Sequence, residues 1–403
     1  MLILTQYYPP EIGAPQARLS ELARGLTNHG IKVIILTAMP NYPQGKVMRG
    51  YKRLFKIEKH EGIDLYRSFI IPTKSASFFP RLLNYFSFMF SSFCLGLFLP
   101  RTDYLFTESP PLFLGICGFL LSRLKHSDFI LNVADLWPES VAELGLIDRE
   151  SFFYRFSSRL EAFLYRHATL VTAPSRSILE NIASRFDQIR TYHLSNGVNP
   201  DNYPALEATS KGKVRILYVG LHGLAQGLEQ LLAAAGQLLD DETLDFFLIG
   251  DGPEKESLVS IAQRDNLTNV TFLDPVPKSR IPALLSEANI LIVPLKVQLT
   301  GAVPSKLYEA MAASKPVILI AGGEGQSIVE NAGCGLVVEP GNTDKLVSAI
   351  RFLAGNPEQR KLMGEKGRKA VIDKYNTNHV ADDFANFLKQ AHTEAKRIHL
   401  HEG

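Results

Sequence analysis

Short apolar runs alternate with longer stretches of helical spacing from one end of the chain to the other. Candidate strands are Leu2–Thr5, Lys32–Thr37, Asp64–Phe69, Tyr104–Thr107, Phe129–Asn132, Leu170–Ala173 and Thr191–Leu194. They resume at Arg215–Val219, Phe246–Ile249, Val270–Leu273, Ile290–Val293, Val317–Ile320 and Gly335–Val338. Between them apolar residues recur with a period near 3.6, as in Leu228, Leu231, Leu232, Ala235, Leu238 and Leu239. This alternation predicts α/β architecture, with parallel sheets covered by helices on both faces and right-handed crossovers. A polar break at Pro204–Lys213 separates the two series and predicts a linker. Val380, Phe384, Phe387, Leu388 and Ala391 form a final helical stripe with no strand after it. Crossing back onto the first half is one way to bury that stripe.

With 403 residues the chain is long for one core, and two domains of roughly 150–200 residues are expected. The domains are read as 1–203, with 376–403 returning to it, and 204–375. A composition 46% hydrophobic and 21% charged excludes disorder as the main theme. The net charge of +2 gives no footprint for nucleic acid. The cysteines, Cys94, Cys117 and Cys334, have no zinc-type spacing and are too far apart to suggest a disulfide framework. The amino terminus reads as a strand rather than a secretory signal, so a cytoplasmic protein is expected.

Two segments qualify that expectation. Leu82–Pro100 carries no charge and reaches the length of a membrane span. Asn84, Ser87, Ser91 and Ser92 lower its hydrophobicity, so a buried or surface-lying helix is the preferred reading. Upstream, Lys46, Arg49, Lys52, Arg53, Lys56 and Lys59 stand against Glu58 alone. That run suits a solvated loop or helix face. It also suits contact of a peripheral protein with the anionic inner face of a membrane.

In open parallel sheets, ligands sit beyond the carboxyl ends of strands, near helix amino termini. After the first strand comes QYYPPEIGAPQARLSELARGL, where Gly13 either lets amides approach a phosphate or merely permits a tight turn. Arg18 opens the following helix. In FFLIGDGPEKESL, Gly250 and Gly252 lie between a strand and a helix and could offer amides to a base or phosphate, although such turns are common. Neither GxGxxG nor GxxxxGK[ST] occurs, which disfavours NAD enzymes and P-loop NTPases.

The sharpest segment is PLKVQLTGAVPSKLYEAMAASKPVI. Gly301, Ala302 and Val303 lead through Pro304 into a helix beginning near Ser305, Lys306 and Leu307. Lys306 then opposes the helix macrodipole, at a cost of about 0.3–1 kcal/mol unless an anion lies between them. A diphosphate would be such an anion, and Glu309, one turn on, could accept hydrogen bonds from ribose hydroxyls. Simple solvation of both side chains is the plain alternative. In NVADLWPESVAELGL, Asp135 could stand near an incoming hydroxyl and Trp137 against an acceptor. Equally, Asp135 could cap a helix and Trp137 be core.

These segments, with HLSNGVNPDNY and the YVGLHGLAQGLEQLLAAA run that holds Gly220 and His222, resemble one family. It is the retaining glycosyltransferases with two Rossmann-like domains facing across a cleft (GT-B), which include bacterial mannosyltransferases and sucrose synthase. The chain resembles most the N-acetyl-L-fucosamine transferases of O-antigen and capsule synthesis, over nearly its whole length. The resemblance implies a nucleotide-sugar donor, usually UDP-linked, held mainly by the second domain as substrate, with no cofactor and no metal. It implies a glycan or lipid-linked acceptor on the first domain, and a last helix that crosses back.

Three positions depart from the family pattern. Gly301 stands where the first of two carboxylates eight positions apart is usual, Glu309 matching the second. Leu221 and Gln226 stand where Arg and Lys are frequent, leaving Lys306 to neutralise the diphosphate with help from His222 and Arg18. Ala134 stands where a His often precedes the aspartate, which favours a front-face mechanism. Rival readings are a nucleotide-sugar epimerase, a glycan phosphorylase, or a non-catalytic partner on the same fold.

Overall fold

The computed structural model describes residues 1–403 apart from 12, 43, 76–77, 205–211, 299, 302 and 402–403, with side chains also undescribed at 78 and 395–401. Packing divides the chain into two compact units: Met1–Asn196 with Thr377–Gly403, and Gly197–Asn376.

The first unit runs β1 (Leu2–Leu4), α1 (Ala14–Asn28), β2 (Ile34–Ala38), β3 (Phe55–His60), β4 (Ile63–Ser68), α2 (Phe78–Leu97), β5 (Tyr104–Ser109) and α3 (Leu114–Lys125). It continues through β6 (Asp128–Val133), α4 (Glu139–Glu143), α5 (Phe152–His167), β7 (Leu170–Ala173), α6 (Arg176–Arg185) and β8 (Thr191–His193). Its strands form one sheet in the order β3-β4-β2-β1-β5-β6-β7-β8. All pairs are parallel except β3 with β4.

The second unit runs β9 (Val214–Val219), α7 (Glu229–Gln237), β10 (Leu244–Ile249), α8 (Lys255–Arg264), β11 (Val270–Leu273), α9 (Ile281–Glu287) and β12 (Ile290–Pro294). Then come α10 (Ser305–Ala312), β13 (Val317–Ile320), α11 (Glu324–Ala332), β14 (Gly335–Val338), α12 (Thr343–Gly355) and α13 (Pro357–Lys374). Its sheet, order β11-β10-β9-β12-β13-β14, is parallel throughout. In each unit strand order reverses beside the first strand, between β1 and β5 and between β9 and β12. Those crevices are where open sheets of this kind accept ligands.

Every predicted strand is present, with ends shifted by about two residues or fewer, the usual uncertainty at element boundaries. Each sheet carries apolar side chains on both faces, with Leu4, Leu36 and Phe88 on one side of the first and Ile3, Ile35 and Phe106 on the other. That double burial is why the strands read as continuous apolar runs. The last helix, α14 (Thr377–His401), belongs to the first unit, where Phe384, Ala385 and Leu388 are buried. It meets α1 closely enough that a Cβ on Gly25 would collide with that of Ala381. The Tyr104 hydroxyl donates to the Leu388 carbonyl at 2.9 Å.

Two expectations are corrected. The basic run is not simply loop or helix: Phe55–His60 forms an antiparallel edge strand. Its Glu58 accepts from Nε of the buried Arg67 at 2.6 Å, which explains the lone acid among lysines. Phe55 and Ile57 are exposed, so the alternation shows no buried face that would mark a strand. The division between units also precedes the polar break. Val198 and Tyr203 are buried with Leu307, Met311 and Val371 of the second unit, and Val198 N donates to Tyr375 O at 2.9 Å. Most of the expected linker, 205–211, lies outside the described residues.

Candidate active site

The second unit builds its site where β9 and β12 part. The chain leaves β9 through Gly220, and the loop after β12 leads into α10 with Lys306 in its first turn. Pro304 precedes the helix in an extended conformation, no side chain among the described residues caps it, and Leu307 N donates to Pro304 O at 3.0 Å. Lys306 lies directly over Gly220: a Cβ there would collide with its Cε, and would stand 2.6 Å from Nζ and 3.0 Å from the Tyr218 hydroxyl. Burial lowers the Lys306 pKa, opposed by the charge of Glu309 three positions on. A desolvated ammonium beside a helix amino end suits an anion.

The neighbouring loops behave differently from the sequence reading. A Cβ on Gly250 would collide with the Gly220 carbonyl, and one on Gly252 with that of His222. Their own amides are engaged, Gly250 N donating to Leu273 O at 3.1 Å and Gly252 N to the Asp251 carboxylate at 2.8 Å. These glycines therefore let the loops after β9 and β10 stack, and they offer no free amides to a phosphate. His222 is 0% exposed, and burial depresses its pKa to about 4. A neutral imidazole would bring a hydrogen-bond donor, not a positive charge, to a diphosphate. Both its ring nitrogens lack a partner among the described residues.

Gly301 has φ +79, a conformation that favours glycine, so the missing carboxylate coincides with a turn only glycine adopts readily. Ala302 lies outside the described residues; Val303, Ser305 and Leu307 frame the entry to α10, Leu307 fully buried. Leu221 is exposed and brings no charge to the site.

In the first unit, Gly13 caps α1 with φ 172, extended backbone open to any residue, so no tight turn requires it. Arg18 pairs with the buried carboxylate of Glu108, at the carboxyl end of β5. Glu108 accepts in turn from Asn132 Nδ2 at 2.7 Å, and Asn132 Oδ1 accepts from Thr172 at 2.7 Å. Arg18 thus compensates a buried acid through Nη2, while its Nη1 is buried with no partner among the described residues. The sequence reading missed Glu108, although an acid within an otherwise apolar central strand was the available signal.

Asp135 follows β6, the strand beside β5. Burial raises its pKa; a hydrogen bond from Ser140 Oγ at 2.9 Å works against that rise, and Glu143 adds to it. The capping position of α4 is Pro138, so Asp135 is not its cap. A carboxylate with a raised pKa after a central strand is suited to proton transfer. Trp137 packs edge-on against Phe113 and Phe153, at 5.9 and 5.6 Å between ring centres, and is partly buried against the core of the first unit. Among the described residues, no group of three or more His, Cys, Asp or Glu is placed to hold a metal ion.

Two sheets, parallel but for the β3–β4 edge pair, each reversing strand order beside its first strand, are the architecture of a two-domain nucleotide-binding-type protein. Models of the glycosyl transferase 4-like domain and of glycosyl transferases group 1 match residues 13–197 and 201–370, so the chain belongs to the group 1 glycosyltransferases of GT-B fold. WcaI of Escherichia coli (strain K12), named as a colanic acid biosynthesis glycosyl transferase, is 28% identical over 92% of this chain and 95% of its own. O-antigen chain mannosyltransferase C of Escherichia coli is 23% identical over 94% and 95%. Among solved structures, sucrose-phosphate synthase of Thermosynechococcus elongatus matches with TM-score 0.78 at 18% identity, covering 98% of this chain and 99% of the other. Anabaena HepE in complex with UDP matches with TM-score 0.71 at 16% identity, over 96% and 99%.

Proposed function

We propose that this glycosyltransferase moves a sugar from a UDP-linked donor to a glycan or lipid-linked acceptor in bacterial surface polysaccharide synthesis, with retention of configuration and without a metal. The single observation that carries the donor side is Lys306, desolvated over Gly220 at the amino end of α10. The names of WcaI, of the O-antigen mannosyltransferase and of UDP-bound HepE support the substrate classes. An N-acetyl-L-fucosamine or related sugar is the donor the sequence resemblance favours.

In this reading the second unit holds the nucleotide, Glu309 takes the ribose hydroxyls, and the first unit holds the acceptor. The bond from the anomeric carbon to the diphosphate breaks, and the acceptor oxygen bonds that carbon from the same face. The acceptor's proton passes to the departing phosphate oxygen, with Asp135 orienting the hydroxyl. Lys306 and the helix amides stabilise the charge that develops on the diphosphate. The protein works at the cytoplasmic surface of the inner membrane, where a lipid-linked acceptor is met.

The test is product analysis after incubation with a panel of nucleotide sugars and saccharide acceptors, with and without a chelator. Transfer with a retained anomeric configuration and an unchanged rate in EDTA is expected. UDP binding without transfer or hydrolysis of any donor would point to the partner-protein reading, which Leu221, Gln226 and Gly301 favour. Activity lost in EDTA and restored by a divalent cation would overturn metal independence.

A further inference from the structure

Helix α2 is apolar on both sides, unlike a helix with one face in water. Its fully buried stripe is Asn84, Phe88, Ser92 and Gly96, with Met89, Phe93 and Leu95 partly buried against the core. Asn84 Oδ1 accepts from Gln6 Nε2 at 2.8 Å, its Nδ2 donates to Ile71 O at 2.7 Å, and Ser92 Oγ meets Cys117 Sγ at 3.6 Å. The opposite stripe, Phe79, Leu83, Phe86, Phe90 and Leu97, is exposed, Phe79 at 80% and Phe90 at 69%. Phe98, at the end of the helix, is 86% exposed. An outward face carrying this many large apolar groups is costly in water.

The apolar surface extends to both sides. Helix α3 lies alongside, Leu121 against Gly96, and presents Leu120 and Leu124 outward. On the other flank, the β3–β4 register places Phe55 and Ile57 opposite Ser68 and Tyr66, on the side of the sheet that α2 covers. Both are 59% exposed. Neither α2 nor α3 contains an acidic residue, whereas Arg81, Arg101 and Arg123 are exposed at the ends of these helices. Among the described residues no helix is long and apolar enough to cross a membrane. In-plane insertion to the headgroup boundary remains, and it is the mode of apolar helix faces rimmed with arginine.

We propose that the outward face of α2, flanked by α3 and β3, is the surface by which this protein seats itself in an anionic lipid leaflet. This deepens the membrane contact proposed above and rests on it. The apolar stripe enters the acyl boundary, and the arginines, with the lysines of β3, meet the headgroups. Asn84 and Gln6 tie the seated helix to the segment following β1, which leads to Gly13 and α1.

The test is sedimentation of the full chain with phosphatidylcholine vesicles with and without phosphatidylglycerol, with UDP binding measured on the same samples. Wild-type protein should bind the anionic vesicles and release from them at high salt. A Phe79→Ser, Phe90→Ser, Phe98→Ser variant should partition about a thousandfold more weakly, near tenfold per ring. An Arg81→Gln, Arg101→Gln, Arg123→Gln variant should lose about fivefold per charge on anionic vesicles and nothing on neutral ones. All substituted side chains are exposed, so melting temperature and UDP affinity should be unchanged. Three results would overturn the proposal: no vesicle binding by protein that still binds UDP, full binding by the serine variant, or a lipid-free dimer that the serine variant dissociates. Vesicle binding by protein that does not bind UDP would leave this surface standing and sink the donor reading instead.

Discussion

Asp135 and His222 show how burial redirects a titratable side chain. Asp135, with an ordinary value of 3.8, is held up by desolvation. Between 3.8 and its raised value, the folded state binds more protons than the unfolded one, so its contribution to stability falls as pH rises through that window. Asp135→Asn should therefore gain stability over wild type as pH increases past it. The same variant should lose about 100-fold in turnover, and the wild-type rate should climb with pH through the raised value. Denaturant titrations and a pH–rate profile check both halves. His222 has the opposite sign. Its folded value of about 4 lies below the ordinary 6.5, so the unfolded state binds more protons between them and stability is lost as pH falls through that window. The full effect is about 3 kcal/mol. Replacing it by Phe removes two buried nitrogens with no partner among the described residues, and should flatten the acid side of the stability profile measured by urea unfolding at pH 4, 5, 6 and 7.

At the level of elements, close approach decides what glycine does. Gly25 lets α14 lie on α1, and any Cβ there must push against Ala381. Gly25→Leu should cost at least about 3 kcal/mol of stability in the first unit, since overpacking a single contact already costs about 1–3 kcal/mol. Denaturant melts followed by Tyr104 environment would show it, and an unchanged midpoint would mean that the helix packs elsewhere. Gly250 and Gly252 were legible as glycines in a strand-to-helix turn, but their purpose was not. Sequence offers the turn, while the stacking of one loop carbonyl over another arises only when β9 and β10 pair. Edge strand β3 escaped for a related reason: its apolar members point outward, and hydrophobic periodicity detects only faces that are buried.

For the whole molecule, the alternation of apolar runs was enough to predict two parallel sheets, because strands buried on both faces carry a signal that needs no tertiary knowledge. The returning helix was legible from an orphan stripe, Phe384 and Leu388 having nowhere local to go. Lys306 was identified correctly as a cation at a helix start because strand, turn and helix follow one another in sequence. The pairing of Arg18 was not legible, because the carboxylate that holds it, Glu108, lies 90 residues away. The proposed donor chemistry rests most heavily on the local arrangement in the second unit.

That arrangement is tested most directly by comparing wild-type protein with Lys306→Ala in turnover at saturating donor, alongside affinity for UDP and for uridine. The account predicts a loss of about 100- to 1,000-fold in turnover, the scale of one preorganised donor to a developing charge. It also predicts weakened UDP binding with uridine binding unchanged. Equal turnover and equal UDP affinity in the two proteins would contradict it.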